Sequence, residues 1–209
     1  MRAINEFWRT RRWATAMLVA LASSVPVAWG APAVPDLAAA YQVEMNDQAR
    51  YLAYARQADV EGLREIGSLF RSVARAEAIH AQIHANLIRK TGNVAAPALQ
   101  AASVGTTEQN LQAAIENENL QLHRGYPALV HRAKQAGMPR TAETIHRIQN
   151  AEGKHEVLFS QAQSTLRIGK HSGQRFYYVC PDCGYVTEEI TFDKCPVCFG
   201  SEERFEMVE

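Results

Sequence analysis

Two short motifs place charge on helical stripes that should be apolar, and this conflict limits the folds open to the chain more than any other feature. Glu77-Ala78-Ile79-His80 lies on the stripe Phe70, Val73, Glu77, His80, Leu87, and Glu152-Gly153-Lys154-His155 on the stripe Ile145, Ile148, Glu152, His155, Phe159. Both stripes have the 3.6-residue period of one buried helix face. An unpaired carboxylate on such a face costs several kcal/mol or takes up a proton. Glu and His three residues apart project from one side of a helix, so two helices that each present this pair are best satisfied by a cation between them.

Two further glutamates complete the pattern. Glu44 shares a stripe with Tyr41, Gln48 and Tyr51, and Glu118 lies between Leu111, Ile115 and Leu122. The spacing is that of an internal duplication: Glu44 to Glu118 is 74 residues, while Glu77 to Glu152 and His80 to His155 are both 75. Each half supplies Glu on one helix and Glu-x-x-His on the next. This is the ligand set of ferritin-like carboxylate bundles that hold two irons or two manganese ions.

With 209 residues, 47% hydrophobic and 21% charged, the chain can bury a bundle core and carry a second small module. Lys plus Arg equals Asp plus Glu at 22 each, which gives no reason to expect nucleic acid or an anionic membrane as partner. Residues 1–30 read as an export signal: Arg2, Arg9, Arg11 and Arg12 precede an uncharged stretch from Trp13 to Gly30, and Ala28-Trp29-Gly30 offers small residues for cleavage after Gly30. The strongly apolar part is shorter than the ~20 residues of a membrane span, so an anchor is the lesser alternative and no stable span is expected after cleavage. Thr10-Arg11-Arg12 is similar to a twin-arginine signal, which carries folded cargo and places the mature protein in the bacterial periplasm. Without its four basic and one acidic side chains, 18 basic face 21 acidic residues, a mildly acidic mature chain.

Residues 36–166 are expected to form four helices. The first starts at Pro35-Asp36, with Asp36 as N-cap, and runs to Val60 before Glu61-Gly62. The second runs from Leu63 to about Arg89. Residues 92–105 carry no charge and no helical stripe, and form the long crossover that lets two helical hairpins pack side by side. Thr106 with Gln109 reads as a capping box for the third helix, which runs to about Ala136 and is kinked or loosened at Pro127. Gly137-Met138-Pro139 turns the chain into a fourth helix, Arg140 to Leu166. Residues 167–175 are a polar linker, and residues 176–209 change character, with short strands at Phe176–Val179 and Tyr185–Thr187.

All four cysteines lie in Cys180-Pro181-Asp182-Cys183 and Cys195-Pro196-Val197-Cys198, two Cys-x-x-Cys pairs with 11 residues between them. This pattern specifies one tetrahedral tetrathiolate metal, the competing reading being two disulfides across strained two-residue gaps. Zinc and iron both accept four thiolates. Gly184 suits a knuckle whose backbone amides point at sulfur.

A carboxylate bundle followed by Cys-Pro-Asp-Cys-Gly-Tyr and Cys-Pro-Val-Cys resembles the rubrerythrin family, over about residues 36–209, with Gln48-Ala49-Arg50, Glu61-Gly62 and Tyr126-Pro127 standing where the family has similar residues. The resemblance implies an all-α four-helix ferritin-like bundle and a small β, knuckle-type rubredoxin-like metal domain. It implies two non-haem irons held by Glu44, Glu77, His80, Glu118, Glu152 and His155, with Glu77 and Glu152 bridging and each histidine capping one iron. Cys180, Cys183, Cys195 and Cys198 would hold a third iron, zinc being the alternative. The implied activity is peroxide reduction, NADH-linked through an electron-donor protein, in a homodimer where one subunit's cysteine module reaches the other's di-iron site. The rivals are a ferroxidase or dioxygen-reducing ferritin relative and a non-enzymatic, zinc-loaded scaffold.

One position departs from the family: Gln121 stands where a further glutamate is usual, so the iron beside His80 is expected to stay on His80 through the redox cycle. Four carboxylates already balance two ferrous ions, and a neutral amide is a poor ligand for a hard cation. Tyr51 and Tyr126 are candidates for hydroxyls beside the centre, and Tyr54 reads as a core aromatic. His84 is expected to face solvent or cap, and His123, His131, His146 and His171 to lie on the surface.

Overall fold

Helix boundaries follow local backbone chemistry. In the computed structural model, which describes residues 33–169, 173 and 175–209, α1 spans Ala33–Val60 and α2 spans Arg64–Arg89. Gly62, at φ +80°, reverses the chain between them, with its neighbour Leu63 N–H donating to Ala58 O at 2.8 Å. Helix α3, Thr107–Leu120, opens with the expected capping box: Gln109 N–H donates to the Thr106 hydroxyl and Thr106 N–H to the Gln109 side chain. One turn of π-helix, Gln121–Gly125, joins α3 to α4, Tyr126–Gln135. Pro127 has no N–H for the regular ladder, and the chain widens just before it. Gly137, at φ +70°, ends α4, and α5 spans Pro139–Arg167.

Helix α1 packs along α2, while α3 and α4 pack on α5. The crossover, residues 92–106, runs without regular structure and is pinned to α1 where Gln42 exchanges two hydrogen bonds with Ala98 and Asn46 accepts from Gln100 N–H. Beyond α5 lie β1 (Tyr177–Val179), β2 (Val186–Thr187), a 3₁₀ turn (Glu202–Arg204) and β3 (Glu206–Val208), forming an antiparallel sheet in the order β2-β1-β3.

Two expectations change. Helix α1 begins upstream of Asp36, so Asp36 sits in its first turn instead of capping it, and pairs with Arg132 at 2.8 Å. Strand β3, which was not expected, carries only one strongly strand-forming residue, Val208, and is made by pairing with β1. The loosening expected at Pro127 is met by the π turn immediately before it. The export-signal reading of residues 1–30 and the reading of His171 fall outside the described residues. Among those described, no helix is long and apolar enough to cross a membrane.

The apolar core has two parts. One gathers Tyr51, Tyr54, Phe70, Val73, Leu111 and Phe159, the other Leu37, Leu87, Ile88, Tyr126, Ile145 and Ile148. Along α1, α2 and α5, and from α3 into α4, the motif side chains fall between these two sets, so each core seals one end of a polar layer.

Candidate metal centres and the contact between them

Six buried side chains meet in that layer. Ligand atoms of Glu44, Glu77, His80 and Glu152 lie within 4.8 Å of one another, as do those of Glu77, Glu118, Glu152 and His155. Glu77 and Glu152 belong to both groups, and all six residues are at most 2% exposed. His80 Nδ1 is 2.9 Å from Glu77 Oε2 and 3.0 Å from Glu152 Oε1, and His155 Nδ1 is 3.1 Å from Glu152 Oε2. Glu77 Oε1 and Glu118 Oε2 are buried without a hydrogen bond, and Glu152 Oε1, also buried, meets His80 in a charge contact without hydrogen-bond geometry. Four buried carboxylates, three of them with an orphaned oxygen, facing two imidazole nitrogens, form a donor set that fits two cations.

The electrostatics agree. Burial raises all four carboxylates; repulsion from Glu152 and Glu77 adds to this at Glu44 and Glu118, which are pushed well above the carboxylate range. At Glu77 and Glu152 the two imidazoles outweigh burial and hold both below it. Burial disfavours imidazolium, yet the surrounding carboxylates raise His80 to about 9 and His155 well above its ordinary value. Protons on Glu44, Glu118, His80 and His155 therefore balance the layer when cations do not. Loading two ferrous ions should release about four protons, and affinity should rise with pH for as long as these side chains still hold protons that the ions displace. Anaerobic ferrous titration in weakly buffered solution with a pH indicator measures this; release of fewer than two protons would contradict the charge balance.

Each of the two tyrosine hydroxyls donates to one carboxylate. Tyr51 bonds Glu118, and Tyr126 donates to Glu44 Oε1 at 2.5 Å. Tyr54 packs in the core against Tyr51 and Phe70. His84 corrects an expectation: it is fully buried, not solvent-facing, with Nε2 3.2 Å from the Tyr126 hydroxyl, and burial pushes it down to about 3 so that the ring is neutral. Its stripe was visible four residues after His80, but its partner comes from another helix. His123, His131 and His146 are exposed as expected.

Asp47 was missed. It is buried, paired with Arg50 at 2.7 Å, and accepts from Asn117 Nδ2, which also donates to the Tyr51 hydroxyl at 3.1 Å. Burial, only partly offset by Arg50, raises its carboxyl to about 7. The signal available was a carboxylate three residues after Glu44, on the same helix face. The Gln121 amide lies over Gly125, and Gln121 lines a cavity together with Glu44 and Tyr126.

The four cysteines are free of disulfides, and their sulfurs lie within 4.8 Å of one another. Cys180 and Cys198 sulfurs are 3.6 Å apart, as are those of Cys183 and Cys195. A tetrahedron of about 2.3 Å metal–sulfur bonds requires about 3.8 Å between sulfurs, and a disulfide about 2 Å. The spacing fits a tetrathiolate centre and not two disulfides.

The two centres touch through backbone. His80 Nε2 is 3.0 Å from Cys183 O, and His155 Nε2 is 2.9 Å from Gly184 O. Donation from Nε2–H to a carbonyl leaves Nδ1 as the nitrogen that faces the carboxylates, protonated there without cations and able to ligate once that proton leaves. Gly184 has φ +75°, and a Cβ there would collide with His80 Nε2. Glycine is needed both for the turn and for this approach. Tyr177, Val179 and Val186 join the core cluster of Phe70 and Val73, and Arg75 grips Glu206 with two hydrogen bonds at 2.7 and 2.9 Å. Within the single chain described, the cysteine module lies against the bundle.

The family model described as rubrerythrin matches residues 36–163, more than half of the chain. The chain belongs to the rubrerythrin family. It is 30% identical over 172 residues to rubrerythrin-2 of Clostridium acetobutylicum, covering 81% of this chain and 93% of that protein. It is 29% identical to nigerythrin of Nitratidesulfovibrio vulgaris, covering 81% and 83%. The all-ferrous structure of nigerythrin superposes with a TM-score of 0.78 at 25% identity, over 96% of this chain and all of that one. Bacterioferritin of Desulfovibrio desulfuricans, at 18% identity and a TM-score of 0.62 over 66% and 81%, shares the fold. This rubrerythrin-family chain thus combines a ferritin-like bundle, carrying a nigerythrin-like di-iron site, with a rubredoxin-like four-cysteine cluster, and both donor sets suit iron.

Proposed function

We propose that Glu44, Glu77, His80, Glu118, Glu152 and His155 ligate two irons, with Glu77 and Glu152 shared, that the four cysteines ligate a third, and that the loaded protein reduces hydrogen peroxide. The supporting observation is the pair of hydrogen bonds from His80 and His155 to the carbonyls of Cys183 and Gly184. A ferroxidase takes its electrons from ferrous substrate and needs no such conduit, and a zinc scaffold would leave it without a use.

The balance is one hydrogen peroxide, two electrons and two protons giving two waters. Bound iron would supply the two electrons and be re-reduced through the cysteine centre by a donor protein that draws on NADH. The protein's part is positional. Nε2–H groups hold both imidazoles toward the carboxylates, the Tyr51 and Tyr126 hydroxyls fix one oxygen each of Glu118 and Glu44, and the apolar layers on either side exclude water. Assembly into a homodimer, as the resemblance implies, is part of the same proposal. Export through the segment 1–30 to the periplasm is part of the same proposal.

The test is anaerobic stopped-flow oxidation of the fully reduced protein. Hydrogen peroxide should oxidise the bundle centre at least about tenfold faster than dioxygen at equal concentration, and the oxidised cysteine centre should be red. Catalytic consumption of added ferrous ion without faster reaction with peroxide would favour the ferroxidase, and a colourless cysteine centre the zinc scaffold.

A further inference from the structure

The two faces of the bundle serve the polar layer differently. The cysteine module covers α2 and α5, over Nε2 of His80 and His155. On the opposite side, between α1 and α4, a cavity of about 170 Å³ leads inward from the surface. Its rim carries Asp36 and Arg132, paired at 2.8 Å, so the opening has no net charge. Ala39, Val43 and Leu129 make its wall, and Glu44, Gln121 and Tyr126 also line it.

Gln121 is the unusual member. Its amide folds over Gly125, where a Cβ would meet Oε1, and it makes no hydrogen bond to any described residue. A half-buried amide with both its donor and its acceptor free, beside a tyrosine hydroxyl and a carboxylate, suits a small neutral solute that itself donates and accepts. Asp36 at the rim is paired with Arg132, and between it and Glu44 the wall is alanine, valine and leucine, which offer a ferrous ion no ligand on the way in.

We infer that this cavity is where hydrogen peroxide enters and is first held, with the Gln121 amide as its binding group and Ala39 keeping the mouth open. The inference rests on the peroxide reading above. It gives the family departure at Gln121 a role, since a neutral amide can hold a neutral solute by both donating and accepting.

Two variants of the iron-loaded protein test it. Ala39→Trp fills the mouth from an exposed helix position, and Gln121→Leu keeps the bulk of the amide while removing its hydrogen bonds. In anaerobic stopped-flow, Ala39→Trp should slow oxidation by hydrogen peroxide about tenfold, and Gln121→Leu should weaken any saturation with peroxide by a similar factor. Reduction of the bundle centre through the cysteine centre should be unchanged in both, since that path lies on the other face. Independently of turnover, crystals of the redox-inert zinc-loaded protein soaked in hydrogen peroxide should show it against the Gln121 amide in the native chain and not in Gln121→Leu. Fast peroxide oxidation that Ala39→Trp leaves unaltered, or peroxide bound elsewhere in the soaked crystals, would overturn the cavity assignment alone. A native protein oxidised no faster by peroxide than by dioxygen would instead overturn the peroxide reading.

Discussion

Glu77→Ala and Glu152→Ala should each empty the bundle of iron while leaving the cysteine centre loaded, so that metal content falls from about three ions per chain to about one. Each carboxylate belongs to both groups of gathered ligand atoms, whereas Glu44 and Glu118 belong to one each. Removing a shared carboxylate costs both positions a charge and an oxygen donor, so neither is compensated by what is left. The fold should survive, because His80 and His155 can give up their extra protons to match the lost negative charge. The cysteine centre shares no side chain with the bundle centre and should load as before. Iron and sulfide-free thiolate absorbance per chain, measured beside far-ultraviolet circular dichroism, decides the matter. Loss of both centres from a protein that is still helical would show that the two sites do not load independently.

Cys195→Ser should leave the bundle helical and its two irons bound, yet abolish turnover driven by an external reductase. Cys195 is fully buried with its sulfur 3.6 Å from that of Cys183, so a serine there removes one of four thiolates from the centre that adjoins His80. Chemically reduced Cys195→Ser protein should still be oxidised by peroxide at the native rate, which separates loss of electron delivery from loss of the reacting centre. Gly184→Ala is the graded companion. Its Cβ would be driven into His80 Nε2 from a backbone conformation that alanine resists, so the module should lift from the bundle with both centres loaded and delivery between them slowed. Reductase-driven turnover that is unaffected by Cys195→Ser would make the cysteine module structural.

What the sequence carried was whatever depends on local spacing. Glu77 and His80, or Glu152 and His155, share a helix face because of the helical repeat, and a cysteine pair separated by two residues forms one knuckle wherever it is placed. The capping box at Thr106, the turn at Gly137-Met138-Pro139 and the uncharged crossover were legible for the same reason. So was the prospect that Tyr51 and Tyr126 lie near the gathered carboxylates, since each falls on a stripe with one of them or opens the helix that follows it. The start of α1 was not, because the residues preceding Asp36 are compatible with helix and no strong cap marks the boundary. The burial of His84 and the chain Arg50, Asp47, Asn117, Tyr51 were not either, because their partners lie 42 and 70 residues away and polar side chains on a helix look alike until something covers them.

Tertiary structure alone decided how the two modules meet. Nothing in the text near Gly184 says that its carbonyl will accept from His155, 29 residues earlier, or that its missing Cβ will make room for His80. The same holds for the cavity over Gln121, whose walls come from α1 and from α4. Spacing along the chain determines which side chains one element can present together; which elements then face one another depends on packing between distant segments, and that packing set the contact between the centres.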